Sequence, residues 1–232
     1  TGTVEQEINY VAPSGITTAT GLSNYKDGAS PVFSISDEPQ TVTIDTYSDA
    51  RTAKMSGTII NNYQNDISGI VVLGRLPAQG NTAIDTSTDM GSNFTIPLSA
   101  GLKISGIQNT NYKIYYSNNQ NATKELDNSN NGWSETPTTA SKSYMIVFNT
   151  GYKLAGGERI AFEYDLAIPA NIEPDNNSFA MYKVYYTNNS TIGSVEESKV
   201  AAIIGLTTGK GPKLEVELQS TTGTDVKEGQ YI

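Results

Sequence analysis

The 232-residue sequence contains no cysteine and no histidine. Without cysteine there is no disulfide and no thiolate metal site. Without histidine the usual general base and the usual transition-metal ligand are missing, and loss of both types removes the most reactive nucleophile as well. A eukaryotic secreted protein of this kind would usually carry disulfides, so their absence fits a bacterial or archaeal surface protein, or a cytosolic one. Basic residues are scarce: 15 Lys and Arg stand against 24 Asp and Glu, a net charge of −9. None of the basic residues cluster, which argues against nucleic-acid binding and against docking on an anionic membrane. No apolar run approaches the roughly 20 residues that cross a bilayer, so membrane insertion is not expected. No segment keeps a 3.6-residue apolar period for three turns, so a helical fold is excluded.

What is present reads as short strands. Asn, Thr, Ser and Gly abound, and 14 Tyr far exceed 5 Phe and one Trp. Tyr and Thr suit sheet faces that are half buried and half wet. Two blocks organise the chain. The first, 53–77, reads as a hairpin, with strands at 53–60 and 70–73 joined by an Asn-rich turn. The second, 154–169, places Ile160, Phe162, Tyr164, Leu166 and Ile168 on one face and Ala161, Glu163, Asp165 and Ala167 on the other. Such alternation marks a strand between a core and water.

Further strands are expected at 4–11, 31–36, 41–47, 112–116, 144–148, 179–186 and 213–218, with one or two across 94–107, interrupted at Pro97. Tyr144–Phe148 is apolar on both sides and reads as central and doubly covered. Residues 196–206 are ambiguous between a helical turn and a strand. Two polar stretches, 74–92 and 117–143, read as long loops at one end or edge of a sandwich. About ten short strands spaced by Gly, Asn and Pro turns indicate an all-β sandwich.

The pairing of MSGTIINNYQNDISGIVVLGRLP (55–77) with LAGGERIAFEYDLAIP (154–169) resembles the Ig-like modules of large, multi-repeat surface proteins of Gram-positive bacteria. The segment GLTTGKGPKLEVELQSTTGTDVKEGQ (205–229) looks like the hand-over into a following module. The resemblance implies an Ig-like antiparallel β-sandwich with long polar loops over residues 41–209. Residues 1–40 would be N-terminal strands packing on or preceding it, and 210–232 a C-terminal strand or the start of a following module. It implies an extracellular, non-enzymatic spacer or adhesion segment at the cell surface or cell wall. Its partners would be a host or matrix glycan or protein and neighbouring modules of the same chain, with no cofactor. The runner-up is a carbohydrate-binding module of a secreted protein.

Four chemistries deserve weighing against plain structural roles. An intramolecular isopeptide bond would join Lys183, or alternatively Lys54, to an Asn with help from Glu163 or Asp165; it needs a desolvated, neutral lysine. The alternation instead places Lys54, Glu163 and Asp165 on a solvated face. A calcium site would use Asp85 and Asp89 in the polar run 85–93, but two carboxylates fall short of the usual oxygen count, and a hydrogen-bonded turn explains the run equally well. A glycan platform would use Trp133 with Tyr115 and Tyr185, and with Tyr116 and Tyr186. Against it, Tyr-Tyr steps place one ring inside and one outside, and Trp133 serves as well to pin its loop. A glycosidase-type carboxylate pair would be Glu163 with Asp165, or Glu196 with Glu197, each equally explained as solvated surface. Asn-x-Ser/Thr sequons begin at Asn93, Asn121, Asn176, Asn188 and Asn189 and matter only in a source that glycosylates its surface.

Overall fold

The alternation at 154–169 and 53–60 resolves into two strands paired along their whole length. The computed structural model describes residues 16–18, 32–34, 40–45, 52–170, 172–190, 193–201 and 204–209. The strands are β1 (Ile16–Thr18), β2 (Val32–Ser34), β3 (Gln40–Asp45), β4 (Thr52–Asn61), β5 (Ile67–Arg75), β6 (Lys103–Ser105) and β7 (Tyr112–Ser117). They continue with β8 (Ser143–Phe148), β9 (Lys153–Leu154), β10 (Arg159–Ala167), β11 (Asn177–Ser190), β12 (Gly193–Val200) and β13 (Ile204–Gly209). The smaller sheet runs β1-β4-β10-β6, with β2 also against β4. The larger runs β3-β13-β11-β5-β8-β7, with β12 beside β11 and β9 beside β5. Only β2–β4 and β3–β13 are parallel among the described pairs. The fold is an all-β, Ig-like sandwich of mainly antiparallel strands.

On β4 and β10 the inward residues sit directly opposite one another: Ile59 with Ile160, Gly57 with Phe162, Met55 with Tyr164 and Ala53 with Leu166. Small residues therefore face large ones, which lets the inner surface interdigitate with the other sheet. The larger sheet repeats the device, since Gly74 of β5 lies opposite Tyr144 of β8. The two covering rings meet across the interface, Tyr144 and Phe162 with centroids 6.0 Å apart. Tyr164 stands 5.5 Å from Tyr144, and Tyr182 meets Phe162 edge-on at 5.1 Å. Both glycines are required here, because a Cβ at either would enter the opposite ring. As expected, β8 is buried on both faces, with Tyr144, Met145, Ile146 and Phe148 all in the interior.

The expected hairpin at 53–77 is corrected: β4 and β5 belong to different sheets, and residues 62–66 carry the chain across the sandwich. Both edges of β4 are occupied, one by β10 and the other by β1 and β2, so none remains for β5. Asn61, fully buried, fixes the crossing: its Nδ2 donates to the carbonyls of Asn65 and Leu154 at 2.9 and 2.8 Å. β5 also begins earlier than the alternation indicates. Between Ser68 and Val71 the register shifts against β11, and Gly69 takes φ of 57°. This β-bulge resets the alternation and puts both Ile67 and Ile70 inside.

In 94–107 only Lys103–Ser105 forms a strand, with an isolated bridge from Leu98 to Leu166. Pro97 offers no N–H, yet its carbonyl accepts from Ala167 at 2.7 Å, and Ser99 donates to Asp165 at 2.8 Å. Within the ambiguous 196–206 stretch, residues 196–200 belong to β12 and 204–206 to β13. The strands expected at 4–11 and 213–218 lie outside the described residues.

Candidate functional site

The larger sheet has an outward face built by alternation from four strands. One row across it is Tyr115, Met145, Leu73 and Lys183, and the next is Lys113, Val147, Val71 and Tyr185. Their chain neighbours Tyr116, Tyr144, Tyr182 and Tyr186 occupy the core, so alternation turns this set the other way. Yet Met145 is 0% and Leu73 2% exposed. Two polar loops, 76–102 and 118–142, leave the same end of this sheet.

Arg75, the last residue of β5, ties these loops down. Its Nη1 donates to the carbonyl of Ala122 at 2.8 Å and to Ser143 Oγ at 3.2 Å, and its Nε reaches the carbonyl of Thr82 at 3.4 Å. The side chain is buried, and burial pulls the guanidinium down to about 10, still charged at neutral pH. Asn131 organises the second loop from within, donating to the carbonyls of Thr123 and Glu125 and accepting from Thr123 N–H. The Trp133 indole N–H donates to the Thr123 carbonyl at 3.0 Å.

Where the loops close, Lys183 forms an ion pair with Asp85, and its ammonium lies 4.8 Å from the centroid of the Tyr185 ring. Lys124 stands over the same ring at 5.6 Å. The Tyr185 phenol is raised, first by burial, with Asp85 and Glu125 adding to the rise and Lys183 and Arg75 opposing it.

Of the three residues of the expected glycan platform, Tyr115 and Tyr185 lie on the outward face of the larger sheet and Trp133 in the loop between β7 and β8. Tyr115 on β7 and Tyr185 on β11 are separated by β8 and β5, roughly 14 Å at three strand spacings. Trp133 holds its own loop through Thr123. Tyr116 and Tyr186 are buried, as alternation requires.

The lysines considered for a cross-link are both in ion pairs. Lys54 Nζ is 2.9 Å from Glu163, with both side chains more than a third exposed. Its hydrogen bond to Glu163 chiefly raises the ammonium above its ordinary value, which holds it charged rather than nucleophilic. Asp165 lies opposite Lys54 across the strand pair. Asp85 and Asp89 go to different partners: Asp85 to Lys183, and Asp89 Oδ1 accepts from the Gly91 N–H at 2.8 Å in a turn. Glu196 is exposed on β12.

Two features escaped the sequence reading. One is the Arg75 clasp; its signal was a lone cation closing the otherwise apolar run 70–76. The other surrounds Glu197. Tyr63 and Tyr186 donate their hydroxyls to Glu197 Oε2, the second at 3.0 Å, and Asn188 Nδ2 donates to Oε1 at 3.3 Å. These bonds, Tyr63 first, pull the Glu197 carboxyl below its ordinary value. Tyr63 and Glu197 lie 134 residues apart, so no local pattern announces them. Cavities of about 260 and 350 Å³ lie elsewhere, beside Pro137 and beside Tyr152.

No family model and no curated protein matches the sequence. Solved structures do resemble it. AggA, the major subunit of aggregative adherence fimbriae type I from Escherichia coli, is 13% identical with a TM-score of 0.37, over 85% of this chain and 95% of that one. AvmM, which catalyses macrocyclisation in alchivemycin A biosynthesis, is 11% identical with a TM-score of 0.29, over 83% of this chain and 98% of that one. The collagen-binding domain of a Staphylococcus aureus adhesin is 10% identical with a TM-score of 0.29, over 68% of this chain and 87% of that one. Similarity this low, spread over proteins of different activity, carries no argument about function.

Proposed function

We propose that this chain is a non-enzymatic, extracellular module of a bacterial surface protein that serves in adhesion. The observation behind the reading is the loop-covered face of the larger sheet. Two long polar loops are held against the sandwich by the buried Arg75, giving an ordered polar surface. A rigid scaffold presenting fixed loops is an arrangement that recognition sites use. The carboxylates weighed for chemistry have structural partners instead: Glu163 with Lys54, Asp85 with Lys183, and Glu197 with two tyrosines. The sequence has neither His nor Cys, which removes the commonest general base and the most reactive nucleophile. On this reading residues 41–209 are the module, 1–40 supply strands that pack on it, and 210–232 are a C-terminal strand or the start of a following module at the cell surface or wall.

The test is a solid-phase binding panel of matrix proteins and glycans probed with the purified chain, run beside hydrolysis assays on the same glycans. Saturable binding without turnover is the expected result. Turnover of any bound glycan, or binding to nothing on the panel, counts against the reading.

A further inference from the structure

The cluster where the two loops meet β5 and β11 holds more hydrogen-bond donors than the protein uses. Arg75 is 4% exposed and has no carboxylate partner among the described residues. A buried cation is normally paired, because desolvating it unpaired is costly. Its second terminal nitrogen makes no hydrogen bond among the described residues, and it is not among their sealed, unsatisfied atoms. The Tyr185 hydroxyl is in the same position: half-buried, reachable and without an acceptor among the described residues. Arg75 lies diagonal to Lys183, which lies two residues before Tyr185 on the same face. Lys124 stands over the Tyr185 ring from the loop above. Three cations thus gather against two carboxylates, Asp85 and Glu125, in a chain of net charge −9.

We propose that Arg75, Tyr185 and Lys183 form a subsite for the carboxylate of an acidic, hexuronate-type sugar. The inference rests on the adhesion reading and names the ligand class of that face. A guanidinium edge, a phenol and an ammonium suit a carboxylate: two give charge-assisted bonds, and the third gives a neutral donor that fixes direction. The rim is made of amides and hydroxyls suited to sugar hydroxyls. Thr82 Oγ1 donates to Asn121 Oδ1 at 2.7 Å, which leaves the exposed Asn121 NH₂ without an acceptor among the described residues. Gln120 lies beside it, holding the Gly80 carbonyl at 2.7 Å. An acidic side chain on a peptide would leave that rim unused, which favours the sugar. Asp85 is the internal stand-in: it occupies Lys183 when no ligand is present and competes when one arrives.

The test is an NMR titration of the purified chain with glucuronate, glucose, acetate and an acetylated, amidated aspartyl peptide. Glucuronate is expected to bind in a salt-sensitive way and to shift amides in 82–85, 120–125 and 183–185, while the other three bind more weakly. Tyr185→Phe, which keeps the ring and its packing, should weaken glucuronate about tenfold or more. Asp85→Asn should tighten it, because Lys183 is released. Glucuronate no stronger than glucose, equal binding of acetate or the peptide, or indifference to both substitutions overturns the subsite. Loss of the subsite with the solid-phase binding panel still positive leaves the adhesion reading standing; a negative panel with glucuronate bound sinks that reading instead.

Discussion

Replacing Gly57 with alanine tests how the two sheets fit together. An ideal Cβ at Gly57 would lie 2.4 Å from Phe162 Cζ and 2.8 Å from Cε1. Carbon atoms settle near 3.5–4.0 Å, so the ring would have to retreat by about 1 Å. It has little room, with Tyr182 edge-on at 5.1 Å and Tyr144 at 6.0 Å. Overpacking of this kind costs about 1–3 kcal/mol. Removing a glycine from a strand returns about 0.5–1 kcal/mol. The net expectation is a loss of about 1–2 kcal/mol, and a fall in Tm of about 2–8 °C for a chain this size. Urea denaturation of Gly57→Ala, Phe162→Leu and the double variant separates the effects. In the Phe162→Leu background the alanine should be neutral or stabilising, because the obstructing ring is gone. An alanine that stabilises the parent, or one that costs the same in both backgrounds, would refute the packing argument.

Other expectations follow from the hydrogen-bond and ion-pair geometry. Glu197 has a depressed folded-state pKa, so its contribution to stability is present above its ordinary value of 4.5 and is lost as pH falls below it. The difference in urea midpoint between the parent and Glu197→Gln should therefore shrink from pH 7 to pH 3; a constant difference would contradict the assignment. Trp133→Phe removes the bond to Thr123 and should cost about 0.5–1.5 kcal/mol while speeding tryptic cleavage at Lys124. Unchanged cleavage would mean that Trp133 does not hold the loop. With Lys54 and Lys183 both in ion pairs, intact mass should equal the sum of the residues. A deficit of about 17 Da, the ammonia lost when lysine acylates with asparagine, would show the cross-link instead.

How much was legible depended on the reach of each interaction. β10 was plain because its alternation is unbroken from Arg159 to Ala167. β8 was plain because a strand covered on both faces is apolar throughout. The start of β5 was not, since the bulge at Gly69 shifts the alternation by one residue. The run 61–66 looked like a hairpin turn because Asn is common in turns. Its buried Asn61 instead bonds to Leu154, 93 residues away, a contact that no local pattern encodes. The spread of the expected platform was hidden for a related reason. Alternation sends one ring of each Tyr-Tyr step outward, but only strand order shows that β8 and β5 lie between Tyr115 and Tyr185. Arg75 and Lys183 are brought near by the pairing of β5 with β11, and Asp85 reaches Lys183 through the loop 76–102, which composition marks as polar without giving its path.

The most direct test of the account is antibody labelling of intact source cells with a reagent raised against the loop at 118–142. Labelling without permeabilisation, removed by brief protease treatment of the cells, is the expected result. Labelling that appears only after the cells are opened would contradict a role at the cell surface.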